Sequence, residues 1–451
     1  MFGETEAMAI AGAIENEVQA SVRLNPFKPS DVFESEEIVP WCNEGRFLAQ
    51  RPSFIADPLF HAGAYYVQES SSMFLSHVFK SLFIDKNSSS EQHRDSGTGL
   101  KVLDLCAAPG GKSTLLASCL SNDDLLVSNE MIKSRVRVLD ENMIKWGRAN
   151  VIISNNDAKD FGKMTHFFDC IVVDAPCSGE GLFRKDKFAV EEWSESNVQL
   201  CAARQQRIIA DVLPALKPGG FLIYSTCTFN TLENEENVAW MMKEFALGSV
   251  EIKAPDDWQI SGSLNDISVH SYRFLPHKVR GEGLFMAVLQ KPVGPVQVHK
   301  NNTKQLNFAS KKYLPELQKW LDEPEQFDYI MKAETYAAIP KHLIEDYTFC
   351  RQHLHIKNAG ISMGRFDKKG QLAPEHSLAL SIHLSKEVNR IALNLPDSLL
   401  YLRKQVFSLN DTMEKGWYLA TYRGFGLGWM KILPDRINNY LPAENRILKV
   451  L

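Results

Sequence analysis

The chain of 451 residues lacks several features that mark other classes of protein. No apolar run approaches the roughly 18 residues that a membrane-spanning helix needs, so we expect no membrane span. No CxxC pair occurs among its eight cysteines, which argues against a disulfide framework. The N-terminus, Met1–Glu6, is acidic where a secretory signal would be basic. We therefore expect a cytoplasmic protein with reduced thiols.

An overall excess of positive charge is also missing, since the net charge is −5. The charge is nevertheless unevenly distributed along the chain. Residues 293–451 carry 22 Lys and Arg against 16 Asp and Glu, whereas residues 1–292 carry 28 against 39. Such asymmetry is typical of a catalytic body with a nucleic-acid-binding appendage. The alternative is an uneven surface charge without functional meaning.

Apolar strand patterns alternate with helical patterns through the first two thirds of the chain, after a polar loop at 87–99. This alternation predicts an α/β fold with a doubly wound, mostly parallel sheet. The predicted strands are 102–105, 125–130, 151–153, 170–174, 221–224 and 284–289, and the predicted helices are 112–120, 132–146 and 190–216.

The sequence changes character after Pro292, where a polar segment indicates a boundary. Helical stretches follow to about Asp397, and His353 and His355 alternate as on a strand, without an acid or thiol nearby to complete a metal site. Short strands separated by glycine then predict a small β domain. Its aromatic side chains could stack on bases or form the domain's core: Trp417, Tyr418, Tyr422, Phe425 and Trp429.

A glycine turn follows the first predicted core strand and opens a helix, as in a cofactor loop. Glu130 ends the next strand, twenty residues after Gly110, where a carboxylate can bind ribose hydroxyls. Asp157 follows the third strand and could meet an adenine edge. The chain has neither a Walker pattern nor G-x-G-x-x-G, so we expect S-adenosylmethionine as the cofactor. The expected loop residues are Cys106, Ala107, Ala108, Pro109, Gly110, Gly111 and Lys112.

Two cysteines follow two predicted strands, Cys177 in Asp-Ala-Pro-Cys and Cys227 in Ser-Thr-Cys. Carboxyl ends of parallel strands meet at one sheet edge, so both thiols should face the cofactor pocket. A thiolate that adds to carbon 6 of cytosine makes carbon 5 nucleophilic, and a second group then permits release. Asp174 could accept from the exocyclic amine or, when protonated, donate to the ring nitrogen. The competing interpretation is that both cysteines are small buried residues.

These residues resemble the Sun/NOP family of RNA cytosine-carbon-5 methyltransferases. The resemblance covers the cofactor motif at 104–113, the Pro-Cys motif at 174–181 and the Thr-Cys motif at 224–228, with supporting segments at 21–26, 66–73 and 273–277. It implies that Cys227 is the nucleophile and that Cys177 helps to release the product. It also implies that residues 106–112, Glu130, Asp157 and Asp174 contact the methyl donor.

The C-terminal end, through Gly426–Trp429 and Arg436–Pro442, is similar to the bacterial RsmF/YebU-type branch of this family. That similarity implies a Rossmann-like core with a small N-terminal α+β domain, a C-terminal PUA-like domain, and 16S ribosomal RNA as substrate. We expect an RNA-binding, RRM-like segment at 1–80, the catalytic domain at 81–292, an intermediate domain at 293–395 and the PUA-like domain at 396–451. We also expect a monomer without a metal. Transfer RNA as the substrate, or a non-catalytic ribosome-assembly factor, stay as alternatives.

Overall fold

The computed structural model describes residues 2–85, 99–185, 187–264, 268–297, 306–407 and 413–448. Four sheets form in these ranges, one of nine strands and three of four strands. Within the same ranges, no helix is long and apolar enough to cross a lipid bilayer. The polar loop predicted at 87–99 lies outside the described residues except for Gly99.

The N-terminal sheet is antiparallel, with the strand order β2-β3-β1-β4. Its strands are β1 Ser21–Leu24, β2 Glu37–Val39, β3 Cys42–Phe47 and β4 Tyr65–Val67, and the helices around it are α1 Glu4–Ile14, α2 Pro58–Ala62 and α3 Phe74–Phe83. Asp57 begins α2 by accepting a hydrogen bond from the Leu59 N–H, and Gly63 ends it in the left-handed region at φ 74°.

The central sheet contains the predicted parallel strands, in the order β7-β6-β5-β8-β9. Its strands are β5 Lys101–Asp104, β6 Leu125–Asn129, β7 Val151–Ser154, β8 Phe168–Asp174, β9 Leu216–Thr226, β10 Gly248–Ser249, β11 Ser271–Phe274 and β12 Leu284–Gln290. The last three add antiparallel strands beyond β9. The helices between them are α4 Gly111–Cys119, α5 Lys133–Trp146, α6 Ala158–Phe161, α7 Lys187–Glu192, α8 Glu195–Val212 and α9 Glu235–Phe245.

Both faces of this sheet are buried, because successive side chains of a strand point to opposite sides. Leu103 belongs to a core that includes Ile209 of α8, whereas Val102 belongs to a core that includes Phe74 of α3. A strand buried on both faces has continuous apolar sequence, which is the pattern that predicted these strands. The α/β prediction with a doubly wound sheet is confirmed.

The predicted helix 190–216 is wrong in its bounds. Two helices, α7 and α8, occupy the region, and the side chain of Ser194 begins α8 by accepting a hydrogen bond from Asn197 N at 3.2 Å. Residues 216–220, which include Pro218-Gly219-Gly220, form the first part of β9. A register shift between Phe168 and Cys170 accommodates these extra residues beside β8.

A second antiparallel sheet follows the central sheet along the chain, where mainly helical stretches were expected. The strands here are β13 Phe327–Lys332, β14 Thr335–Pro340, β15 Ile356–Ala359, β16 Ile361–Phe366 and β17 Leu372–Pro374, with helices α10 Leu314–Gln318 and α11 Ile344–His353. Strand β15 leaves this sheet and pairs antiparallel with β7. The strand predicted around His353 and His355 is wrong, because His353 ends α11 and His355 precedes β15.

The last sheet has the order β18-β19-β20-β21. Its strands are β18 Arg390–Ala392, β19 Gly416–Tyr422, β20 Phe425–Ile432 and β21 Ile437–Asn439, with helices α12 His376–Leu380 and α13 Leu395–Leu402. Trp429 and Tyr418 are buried in the cores of this region, so these two rings pack instead of being open for base stacking. The predicted domain boundaries stay a prediction.

Candidate active site

The expected cofactor loop connects β5 to α4. Gly110 adopts φ 115° and precedes the first residue of α4, a conformation that side chains other than glycine adopt only with strain. The loop is fixed through its carbonyl groups. Arg135 Nη2 donates to the Ala108 carbonyl at 2.6 Å, and Asn142 Nδ2 donates to the Pro109 carbonyl at 2.8 Å. The loop is therefore held in one conformation from α5.

A cavity of about 350 Å³ lies at the carboxyl ends of the parallel strands. Of the predicted cofactor residues, its walls include Cys106, Ala108, Glu130, Asp157 and Asp174. An adjoining cavity of about 190 Å³ lies between the loop and β4, and its walls include Ala107, Pro109, Gly111 and Lys112. Gly110 borders neither cavity and serves as the turn itself.

Glu130 and Asp157 reach the larger cavity from different local structures. Glu130 follows β6, and its Oε1 accepts a hydrogen bond from Ile132 N at 2.8 Å. Its Oε2 has only a 3.5 Å ion pair with Arg135. Asp157 lies three residues beyond the end of β7 and begins α6, accepting from Lys159 N at 3.2 Å. Both carboxylates thus remain able to accept further donors from a ligand.

The two predicted catalytic thiols meet at the wall of the larger cavity. Cys177 Sγ lies 3.0 Å from Cys227 Sγ, and the backbone N–H of Cys227 donates to Cys177 Sγ at 3.3 Å. The hydrogen bond to Cys227 and burial are the main causes that raise the pKa of the Cys177 thiol, and the charges of Cys227 and Glu233 add to it. Cys177 therefore keeps its proton and can donate it toward Cys227.

Asp174 sits beside this pair with both carboxylate oxygens engaged. Lys112 Nζ lies 2.8 Å from Oδ2, and Ser225 Oγ donates to Oδ1 at 2.8 Å. Burial lowers the pKa of the Lys112 ammonium, but the charge and hydrogen bond of Asp174 raise it, and Asp104 and Cys227 add smaller increases. The net result is a raised pKa. A buried cation is therefore maintained within electrostatic reach of Cys227.

Three stretches of the chain match described families. Residues 1–70 match the N-terminal domain of 16S rRNA methyltransferase RsmF, residues 94–290 match 16S rRNA methyltransferase RsmB/F, and residues 388–447 match the methyltransferase RsmF PUA domain. Ribosomal RNA small subunit methyltransferase F of Vibrio parahaemolyticus is 31% identical, covering 96% of this chain and 92% of the relative. The chain belongs to the RsmF family of ribosomal RNA small subunit methyltransferases. The same methyltransferase of Shewanella loihica is 30% identical, covering 90% of this chain and 83% of the relative.

Solved structures agree with this placement. A methyltransferase homolog protein from Pyrococcus horikoshii is 29% identical with a TM-score of 0.53, covering 64% of this chain and 92% of its own. NSun6 from the same organism, at 22% identity and a TM-score of 0.52, covers 64% of this chain and 95% of its own, and shows the fold. The resemblance to Sun/NOP enzymes and the Rossmann-like core are therefore confirmed, as is a C-terminal PUA domain in this RsmF family member.

S-adenosylmethionine is the cofactor of the RsmF family, and the larger cavity fits it. Glu130 Oε2, which has a 3.5 Å ion pair with Arg135, can in addition accept from ribose hydroxyls. Met131 and Ile132, the two residues after Glu130, also line the cavity and are 55% and 47% exposed. They give it an apolar surface suited to a flat purine ring. A carboxylate acceptor next to an apolar wall thus matches a nucleoside with a hydroxyl-bearing sugar.

The N-terminal RsmF domain is anchored to the helix that follows the cofactor loop. Arg23 of β1 is fully buried and donates to Gln68 Oε1 at 2.7 Å, Thr114 Oγ1 at 2.6 Å and Ser118 Oγ at 3.1 Å. Its guanidinium also lies over the Trp146 ring, 4.6 Å from the centroid. Arg23 and Gln68, from two segments of the family resemblance, are thus direct partners.

Several residues around the thiols were missed by sequence reasoning. Ser225 was part of the quoted Thr-Cys motif but was given no role, and it hydrogen-bonds the Asp174 carboxylate. Glu180 and Glu233 are buried carboxylates that bind the loops carrying the two cysteines. An acidic residue in a polar stretch gives no sequence signal of burial, so only their positions next to the cysteine motifs could have suggested a role.

The remaining cysteines show no catalytic arrangement. All eight cysteines are free thiols in the structure. Burial raises the pKa of the Cys106 thiol, so this cysteine stays neutral within the cofactor loop. Across the ranges that the structure describes, no cluster of three or more His, Cys, Asp or Glu side chains is arranged to hold a metal ion.

Proposed function

We propose that this protein methylates carbon 5 of a cytosine in 16S ribosomal RNA through a covalent bond between Cys227 and the base, with Cys177 aiding release. The observation that carries the proposal is the thiol pair, 3.0 Å apart in the wall of the cofactor cavity. Two buried apolar fillers would need neither the Lys112–Asp174 ion pair nor a cavity beside them. Membership of the RsmF family supports RNA as the substrate.

The chemistry requires a nucleophile because carbon 5 of cytosine is itself a poor one. Cys227 Sγ forms a bond to carbon 6, and the ring electrons then make carbon 5 nucleophilic. When bound, S-adenosylmethionine would supply the methyl group that carbon 5 takes up, and would leave as S-adenosylhomocysteine. A base then takes the proton from carbon 5, the carbon 6–sulfur bond breaks, and the ring double bond returns. Asp174 is placed to contact the base and stabilise charge in this adduct.

The charges around the two sulfurs favour Cys227 as the nucleophile. The Lys112 cation is within electrostatic reach of Cys227. The carboxylate of Glu233 instead acts on Cys177, where it disfavours a thiolate. Cys177 can therefore donate its hydrogen bond to a negatively charged Cys227 sulfur, which stabilises the attacking form.

The substrate base must leave its stack to reach the cavity, because the two thiols lie in a recessed wall. We propose that the N-terminal segment and the PUA domain hold RNA through phosphate and shape contacts. The monomeric state, the cytoplasmic location and the assembled small subunit as the form of the substrate belong to the same proposal.

The test is methyl transfer from labelled S-adenosylmethionine to naked 16S RNA, purified small subunits and transfer RNA, followed by digestion and identification of the labelled nucleoside. We expect 5-methylcytidine in ribosomal RNA. Label in transfer RNA alone would favour the first alternative, and no label in any RNA would favour an assembly factor. Cys227→Ala serves as the inactive control for background label.

A further inference from the structure

The two cysteine loops are joined next to the thiols by a buried carboxylate, to which the proposed chemistry assigns only an electrostatic effect on Cys177. Glu233 is fully buried in the loop after Cys227. Its carboxylate accepts from Ser178 N at 3.0 Å, Gln205 Nε2 at 2.7 Å and Asn230 Nδ2 at 2.8 Å, and Ser178 Oγ also donates to it. Ser178 follows Cys177 directly, so the carboxylate connects one cysteine loop to the other.

Further bonds extend this connection on both sides. The hydroxyls of Ser178 and Thr228, the residues directly after the two cysteines, are hydrogen-bonded at 2.9 Å. Gln205 of α8 donates to both Glu233 and the Pro176 carbonyl. The loop that carries Cys177 is thereby fixed against α8 as well as against the loop that carries Cys227.

A second carboxylate braces the same two loops from the opposite direction. Glu180, in the Cys177 loop, accepts through Oε2 from Phe229 N at 2.7 Å and Asn230 N at 2.9 Å. Its Oε1 accepts from Trp193 Nε1 at 3.0 Å. Each loop therefore supplies one carboxylate that accepts backbone N–H groups of the other loop.

Two buried carboxylates are an unfavourable way to join two loops if stability is their only role. Among the described residues, no Lys or Arg forms an ion pair with Glu180 or Glu233, so neutral donors alone solvate both carboxylates. Removing such charges from water is strongly unfavourable, and an apolar contact would join the loops without that penalty. Directional acceptors do, however, define distances that an apolar contact does not.

We propose that Glu233, with Glu180 as its counterpart, is a positioning residue that clamps the two cysteine loops and fixes Cys177 Sγ beside Cys227 Sγ. The functional role of this clamp rests on the proposed thiol chemistry, whereas the hydrogen bonds that form it are a property of the folded protein. The negative charge of Glu233 has a second effect, because it helps to keep Cys177 in the thiol form.

The clamp is tested on the full chain by thiol cross-linking, which needs no RNA. The oxidant diamide converts the two thiols to a disulfide and is itself reduced to the hydrazine. The rate of Cys177–Cys227 disulfide formation, followed by peptide mass spectrometry, therefore reports how closely the sulfurs are held. Glu233→Gln preserves size but replaces an acceptor oxygen by an NH₂ group that opposes the existing donors. Glu236→Gln, at an exposed acid of the same segment, is the matched control.

We expect Glu233→Gln to slow the cross-link, and to lower kcat with labelled RNA, by at least about tenfold, with little change in KM for S-adenosylmethionine. Glu236→Gln should match the wild type in each measurement. A Glu233→Gln protein that cross-links and turns over at wild-type rates overturns the clamp. If that variant does not fold, Glu180→Gln carries the same test. Wild-type protein that cross-links rapidly but makes no 5-methylcytidine would contradict the proposed function, while the clamp between the two loops would still hold.

Discussion

Lys112 Nζ lies 2.8 Å from Asp174 Oδ2, and this ion pair joins the first turn of α4, directly after the cofactor loop, to the last residue of β8, which leads into the loop that carries Cys177. The Lys112 side chain is only 11% exposed, whereas the Asp174 side chain is 36% exposed at the cavity wall. The pair stands where the two cavities meet, since Asp174 borders both. One interaction therefore couples the methyl-donor loop to the proposed base-contacting acid and places a cation near the thiols.

Lys112→Met should remove that cation while keeping a side chain of similar length. We expect kcat for methyl transfer to fall by about 10- to 100-fold, because a negatively charged Cys227 sulfur loses the cation that lies within its electrostatic reach. Lys112→Arg should retain part of the rate. Lys133→Met, at an exposed lysine in the first turn of α5, is the control. A Lys112→Met enzyme with the wild-type kcat would show that the Lys112 cation does not assist the nucleophile.

Cys227→Ala should abolish methyl transfer, with a loss of at least about 10⁴-fold that leaves only background label. Cofactor binding should persist, because Glu130 and Asp157 lie at other strand ends of the cavity and do not contact Cys227. Calorimetry with S-adenosylhomocysteine would measure that binding separately. Full methylation by this variant would refute the nucleophile assignment, whereas loss of binding would show that the cysteine supports the cavity itself.

The buried carboxyl group of Asp104 should make the free energy of unfolding depend on pH. Burial raises its pKa to about 7, against the hydrogen bond that Ser113 donates at 2.6 Å. Because an unfolded Asp ionises near pH 4, the unfolded state releases this proton first, and the folded state loses stability as the pH rises from about 4 to about 7. The loss amounts to roughly 4 kcal/mol and then levels off.

Chemical unfolding of the wild type and Asp104→Asn between pH 5 and pH 8 checks this. The amide does not titrate, so the wild type should lose stability relative to the variant across that range. Equal slopes for the two proteins would mean that Asp104 is already ionised in the folded state at pH 5.

Arg23→Lys should weaken the attachment of the N-terminal sheet. A lysine cannot reproduce the planar fork that contacts Gln68, Thr114 and Ser118, so buried acceptors lose their donors. We expect a loss of roughly 2 kcal/mol in the free energy of unfolding, measured by denaturant titration. Arg51→Lys, at an exposed arginine, should have little effect. Equal stability of both variants would show that the Arg23 contacts contribute nothing net.

The features that the sequence could predict are those with short-range patterns. The apolar strands around Val102 and Val172 indicated a parallel sheet, and the convergence of its carboxyl ends brought Cys177 and Cys227 together as expected. The predicted ends of helices and strands were wrong where a local sequence signal conflicted with strand pairing between distant segments. Pro218-Gly219-Gly220 is typical of a turn, yet these residues lie in β9, where neighbouring strands override the local preference.

Other features depend on contacts between distant segments that no local pattern records. Strand β15 pairs with β7 across about two hundred residues of sequence, which no spacing rule predicts. Glu233 and Glu235 belong to an acidic stretch typical of a solvated helix start, yet both are buried. Their burial follows from partners on other elements, Ser178 for the first and Arg273 for the second.

The covalent adduct between Cys227 and the target cytosine is the central claim, and Cys177→Ala tests it most directly. Without the release residue, the protein–RNA bond should accumulate during turnover with S-adenosylmethionine. It would appear as a denaturant-resistant band of reduced mobility that disappears on nuclease treatment. The Cys177→Ala/Cys227→Ala double variant should form no such band. A band that persists in the double variant, or its absence from Cys177→Ala under conditions where the wild type methylates RNA, would contradict the account.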